Sequence, residues 1–314
     1  MSTPETRRAF LQIHVCVVLW GFTAILGKLI TLRALPLVWW RMLFVVAALA
    51  FVPRVWRGLR AMPGRIVAAY AGIGALVALH WLTFYGSIKL SNASVGATCI
   101  ALGTVFTAMA EPWLAKTKFQ PRDFLLGVAV LPGVALVVGG IPHGMRAGVS
   151  VGTLSALFVA LFGSLNKRMV EHGDALTVTA IELGAGVLTL TVLSPLMAIV
   201  APGEALTLAV PSLHDIGLLL ALAIGCTLIP YALSLVALRH MSAFAAQLAV
   251  NLEPVYAIVL AILLLGEQRE LSLAFYGGVA IILGAVLAYP LLHRLRRIEH
   301  PEMLAASESK GMVD

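Results

Sequence analysis

Successive stretches of about 20 predominantly apolar residues, the length needed to cross a bilayer core, dominate this chain. Ten can be drawn, at approximately 9–30, 36–52, 66–88, 94–115, 124–140, 148–167, 175–200, 213–238, 242–266 and 271–292. They are continuous runs of Leu, Val and Ala, not the alternating pattern of a membrane β-barrel strand. A soluble chain carries roughly 25% charged residues; this one carries 12%, too few to coat a water-facing surface. In lipid each backbone polar group must be satisfied internally, which leaves the helix as the spanning unit. The expected fold is an all-α integral membrane protein with ten transmembrane helices. A soluble enzyme and a nucleic-acid binder are excluded on these grounds, and no room remains for a separate soluble domain.

The formal charge of +7 is then a topology signal. Placing the N-terminus inside leaves Lys28, Arg33, Arg41, Lys89, Arg146 and Arg269 on the outer side and sixteen of the 22 Lys and Arg inside. Lys and Arg favour cytoplasmic connections, so both termini, the connection at 54–65 and the tail at 293–314 are expected in the cytoplasm. The cytoplasmic membrane is the expected location, with membrane lipid as a partner through anionic headgroups. Thr6-Arg7-Arg8-Ala9-Phe10-Leu11 has the look of a twin-arginine export signal. No small-residue cleavage site follows its apolar run, and nine further runs do, so it reads as an inner-side anchor. Cys16, Cys99 and Cys226 fall within different runs and read as small hydrophobes.

The chain repeats itself. At an offset of 150, Lys89 falls on Arg239, Ala93 on Ala243, Phe106 on Tyr256 and Gly127 on Gly277. Leu19-Trp20-Gly21 matches Leu161-Phe162-Gly163 more loosely at an offset of 142. Two five-helix units follow, over 9–140 and 148–292. Five is odd, so the second unit enters the membrane from the opposite side. Inverted repeats with a midplane site are a recurrent design of secondary transporters working by alternating access.

Asn251-Leu252-Glu253-Pro254-Val255-Tyr256, followed by Ala261-Ile262-Leu263-Leu264-Leu265-Gly266-Glu267, resembles the ninth-helix signature of the drug/metabolite transporter superfamily, EamA branch. Trp20-Gly21 with Lys28 is similar to that family's opening helix. The resemblance covers about residues 9–292. It implies two inverted EamA units around a central cavity lined by runs three, four, eight and nine, and export of an amino acid or related metabolite. The first unit departs from the pattern, with Gly103 and Thr104 standing where Glu253 and Pro254 stand and Glu111-Pro112 lying farther along. Relatives that carry sugar phosphates place basic residues in the cavity; here the evident mid-span ionisable groups are acidic or His.

Charged side chains at membrane depth are costly and face a cavity or a partner. At 1.5 Å per residue, Glu253 sits about 16 Å from the inner end of its run, near the midplane, and His80 about 21 Å from its own inner end. Glu111, Glu182 and His14 lie within about 6–9 Å of the inner side, where solvation is an open alternative for the two carboxyls. Helical spacing puts Gln247, Asn251, Pro254 and Ile258 on one face, opposite Ala97, Ala101, Thr104, Ala108 and Glu111. Thr227, Tyr231 and Ser234 share another face, as do His80, Phe84 and Ser87 with Trp81 alongside. The expected substrate lining is therefore His80, Trp81, Tyr231, Gln247 and Asn251, an aromatic and amide surface suited to a small zwitterion or amphiphilic metabolite. Glu253 is the foremost candidate to exchange a coupling proton, with Glu111 and Glu182 behind it. Packing is the alternative for His80 and the aromatic residues, and hydrogen bonding to backbone freed by Pro254 is the alternative for Glu253. Arg41, Lys28 and Lys89 are expected to snorkel to the outer surface, and Glu267 to sit in the connection closing run nine.

The four Asp (Asp123, Asp174, Asp215, Asp314) lie at run ends or in connections, which excludes an intramembrane aspartyl protease. No H-E-x-x-H, G-x-S-x-G or P-loop motif occurs, nor a potassium-type filter. The expectation is a secondary transporter of a small metabolite, with protons as a candidate coupling ion and with no enzyme activity, cofactor or resident metal. A receptor or an intramembrane enzyme of other chemistry is the alternative. Oligomeric state is left open.

Overall fold

The computed structural model describes residues 4–201, 203, 205–206 and 210–298. The helices are α1 (Pro4–Leu29), α2 (Ala34–Ala50), α3 (Pro53–Ala61), α4 (Gly64–Leu90), α5 (Ala93–Cys99), α6 (Gly103–Leu114) and α7 (Pro121–Gly139) in the first half. The second half has α8 (Arg146–Met169), α9 (Ala175–Val200), α10 (Leu213–Leu220), α11 (Ile229–Leu238), α12 (Ala243–Val250), α13 (Glu253–Leu265) and α14 (Leu273–Ile298). Asn92, Asp174, Ser212 and Ser242 each accept the backbone N–H three residues on, capping α5, α9, α10 and α12. Gly266 closes α13 at φ +69°, a left-handed position that Gly adopts without a Cβ clash.

Among the described residues, eight helices are long and apolar enough to cross a membrane, and nine if the bent pair α2–α3 is one span. The apolar part of α14, Leu273–Ala285, is shorter than those spans. The expectation of ten spanning helices is thus met only in part. The expected connection at 54–65 also needs correction. It contains α3, turned 92° from α2. Pro53 starts it, at a position where the missing N–H costs no helical hydrogen bond.

Two spans are interrupted at matching places. A 3₁₀ turn, Ile100–Leu102, separates α5 from α6, and a turn at Asn251 and Leu252 separates α12 from α13. At the offset of 150 the second break coincides with the last two residues of the first. The two interrupted helices run antiparallel, as their ends show. Glu111, near the C-terminus of α6, accepts Ala243 N–H and Phe244 N–H, both at 2.8 Å, at the start of α12. Glu267, just beyond α13, accepts Ala93 N–H and Ser94 N–H, both at 3.0 Å, at the start of α5. Ala93 and Ala243 are equivalent under the repeat. Each half therefore caps the other's broken helix with a carboxylate, where the exposed N–H groups and the helix dipole favour negative charge. Glu267 does sit in the connection closing α13, and it is buried there as a cap.

Lys89 and Arg239, also equivalent, bond in parallel ways. The Lys89 ammonium donates to the Ile30 carbonyl just past α1 (2.6 Å), and Arg239 donates to the Gly173 carbonyl past α8 (2.9 Å). Lys89 is tethered rather than snorkelling. Gly74 lets α4 and α9 approach closely, since a Cβ there would overlap the Glu182 backbone.

Candidate functional site

A cavity of about 110 Å³ lies between the two halves, bounded by α1, α2, α4, α8, α11, α12, the start of α13 and the 3₁₀ turn. Of the residues expected to bind substrate, His80, Trp81, Tyr231 and Gln247 line it, and Glu253 joins them. Trp20, Phe84 and Phe162 add aromatic wall, with Thr23 and Ser234 as further polar groups. Trp81 meets Tyr231 edge-on with centroids 6.1 Å apart, and His80 lies 5.4 Å from Phe162. His80 Nδ1 sits 2.9 Å from the Ser155 carbonyl oxygen, which can only accept, so that nitrogen carries hydrogen. Ser155 Oγ returns a bond to the His80 carbonyl at 3.0 Å.

Arg41 does not reach the outer surface as its position in the sequence led us to expect. It is 2% exposed and lines the cavity, far from snorkelling. Its carbon Cζ stands 3.9 Å from the Trp81 ring centroid and 5.5 Å from that of Tyr85. Nη1 donates to the Tyr85 hydroxyl (2.8 Å), Nε to Thr227 Oγ1 (2.5 Å), and Nη2 to the Cys226 carbonyl (3.3 Å). Pro230, four residues on, has no N–H to return the usual α-helical bond to that carbonyl. The helix answers by widening into a π turn, Ala221–Leu228, in which Thr227 Oγ1 also donates to the Leu222 carbonyl at 2.7 Å. The proline thus builds the socket for the guanidinium.

Magnitudes explain how a cation survives there. Burying an ion costs several kcal/mol after relaxation. Hydrogen bonds involving a charged group return about 1.5–3 kcal/mol each, and a desolvated cation–π contact about 2 kcal/mol. Three bonds and the Trp81 face offset the burial. Yet among the described residues no carboxylate lies within 4 Å of Arg41. Two of the five guanidinium N–H groups remain for a cavity occupant. Glu253 lines the same cavity and interacts with Arg41 electrostatically, and no described residue hydrogen-bonds its carboxyl. A buried positive group and a carboxyl therefore face one small aromatic space.

The other expected site residues lie elsewhere. Asn251 is fully buried at the crossing of the two breaks, where its amide donates to Thr104 Oγ1 at 2.6 Å. Gln247 reaches the Ile100 carbonyl at 3.3 Å beside it. Glu111 is the cap described above. Glu182 is buried on α9, where the Tyr231 hydroxyl donates to it and the Asn166 amide approaches at 3.4 Å. Tyr231 thus connects the cavity wall to a second carboxyl behind it. Asn166 drew no notice in the sequence, as its role depends on α9 and α11 packing beside it.

Residues 7–139 and 146–289 each match the EamA-like transporter family. The chain belongs to that family. Its two EamA segments place it in the drug/metabolite transporter superfamily, as a multi-pass membrane transporter. An uncharacterized transporter of Clostridium kluyveri is 24% identical over 300 residues, covering 90% of this chain and 93% of its own. An uncharacterized transporter of Pseudomonas aeruginosa is 26% identical over 314 residues, covering 96% and 100%. One crystal structure aligns with a TM-score of 0.65 at 17% identity over 93% of this chain and 98% of that one, a likeness of fold. In this EamA transporter the cavity lies between the two matched segments.

Proposed function

We propose that this EamA transporter carries a small zwitterionic metabolite, an amino acid or close relative, through the cavity between its halves. The observation that carries this reading is the buried Arg41 guanidinium without a carboxylate partner, sharing one aromatic cavity with Glu253. A substrate carboxylate would take the two free N–H groups of Arg41, its ammonium would meet Glu253, and its side chain would lie among Trp81, Phe162 and Tyr231. In a site of low dielectric, each complementary charge removes the cost of leaving the other unpaired.

Alternating access is supported by the matching helix breaks and the exchanged carboxylate caps, one at each end of the crossing pair. Opening one end requires parting one cap while the other holds. We count ten spans, with α14 as the last, and place both termini in the cytoplasmic compartment of the cell membrane; the bias of Lys and Arg toward one side supports that orientation. Export is the direction suggested by family resemblance. Glu253, facing the cavity without a protein hydrogen bond, is the residue we assign to proton coupling, ahead of Glu182 and Glu111.

Thermal-shift binding on detergent-purified protein tests the substrate class. Stabilisation is expected from zwitterionic amino acids and not from the same compounds as amides, decarboxylated amines or deaminated acids. Equal stabilisation by the amines would remove Arg41 from recognition.

A further inference from the structure

Away from the central cavity, α3 carries features that transport does not use. Its sequence, Pro53-Arg54-Val55-Trp56-Arg57-Gly58-Leu59-Arg60-Ala61, sets the buried Val55 and half-buried Leu59 on one face and leaves Arg54, Arg57 and Arg60 exposed, with Arg65 exposed just beyond. Val55 is buried, while Trp56 is 47% exposed and its indole N–H donates to the Ala50 carbonyl at 2.7 Å. With α2 spanning the membrane, the 92° turn lays α3 in the membrane plane. A basic amphipathic helix with Trp on its apolar side is the element that sits at a bilayer interface.

Beneath it is a second space, about 360 Å³, between α2, α3, α4 and α9. Its walls are apolar throughout apart from the occupied indole N–H, and Ala71, Ala180, Gly184 and Ala185 leave it unfilled from α4 and α9. Such a space offers water no partners. Arg57 and Arg60 are exposed on the same helix as the groove-lining Val55, Trp56 and Leu59, Arg65 is exposed at the start of α4, and none of the three has a carboxylate within 4 Å among the described residues. Arg54 is the exception, 3.5 Å from Asp174. An apolar slot beside a helix that carries exposed cations matches the two parts of one molecule.

The geometry points to a phospholipid site: the groove under α3 holds an acyl chain, and Arg57, Arg60 and Arg65 bind the phosphate of an anionic headgroup. Each Lys or Arg near an anionic surface contributes about 1 kcal/mol, so three give roughly a hundredfold preference for an anionic lipid over a zwitterionic one of the same chains. Ordinary lipid contact with a helix surface has no such selectivity.

Native mass spectrometry of the delipidated full-length protein, titrated with phosphatidylglycerol or chain-matched phosphatidylcholine, reads this out. One phosphatidylglycerol should be retained per protein with at least tenfold preference. Replacing Arg57, Arg60 and Arg65 together by Gln should reduce retention to the phosphatidylcholine level. Gly184→Leu fills the groove from a position where an added Cβ meets no atom within 4 Å, and should abolish retention with the delipidated protein's melting temperature unchanged. Equal retention of the two lipids by the unaltered protein would overturn the site. So would loss in the arginine variant alone, which would mean surface attraction without the groove, or loss in Gly184→Leu alone, which would mean an apolar slot without charge recognition.

Discussion

Arg41 and Glu253 carry the chemical argument, and each can be tested by a change that keeps its size. Lys at position 41 retains a charge but not the planar fork that reaches Tyr85, Thr227 and Cys226 at once. Losing one charge-assisted hydrogen bond to the substrate costs about 1.5–3 kcal/mol. Arg41→Lys should therefore weaken zwitterion binding by about ten- to a hundredfold in equilibrium dialysis, and the bonds it loses to Tyr85, Thr227 and Cys226 should lower the melting temperature as well. Unchanged affinity would leave Arg41 as a packing group. Glu253→Gln keeps volume and hydrogen-bonding capacity while removing the exchangeable proton. In proteoliposomes it should still exchange substrate between two loaded compartments, at a raised substrate concentration because the ammonium loses its charged partner, and lose accumulation driven by a pH gradient; full gradient-driven accumulation at unchanged affinity would make Glu253 structural. His80, Trp81, Tyr231 and Gln247 were legible from helical spacing, because periodicity puts polar and aromatic groups on inward faces, and Glu253 from its depth near the midplane. Arg41 was not. Counting from the start of its run put it near the outer surface, and its socket depends on Pro230 in a helix far along the chain. Pro230 was the available signal: a proline inside an apolar run leaves the carbonyl four residues back without its usual donor.

The interrupted helices set where those residues meet. Proline marked the second break, at Pro254, but Ile100–Leu102 holds neither proline nor glycine, and its 3₁₀ geometry arises where the two helices cross. The exchanged caps were illegible for a similar reason. Glu111 and Glu267 do not align under the 150-residue offset, although the helix starts they cap do. Helix α3 was missed because a nine-residue basic segment bounded by Pro53 and Pro63 has no spanning signature. Removing a cap typically costs about 0.5–2 kcal/mol. Glu111→Ala and Glu267→Ala should each lower the melting temperature of the purified transporter while leaving the substrate affinity within about twofold, since neither side chain lines the cavity. A shift in affinity without a loss of stability would reassign that carboxylate to the site.

At the level of the whole transporter, composition and repeat were readable at once, because a bilayer imposes length and apolarity on each span and duplication leaves its offset in the sequence. The topology makes a direct prediction. Single cysteines placed at 201–213 should react with an impermeant maleimide in intact cells, and cysteines at 54–65 only after lysis. Labelling of 54–65 in intact cells would reverse the orientation and with it the expected direction of export. The account as a whole rests on a zwitterion passing through the cavity shared by Arg41 and Glu253, and counterflow in proteoliposomes measures that passage. Vesicles loaded with an unlabelled zwitterionic amino acid that stabilises the protein should transiently concentrate the labelled compound from outside. An excess of another zwitterion should block the uptake, and the decarboxylated amine should not. Absence of counterflow with every stabilising amino acid, or equal block by the amine, would contradict the account.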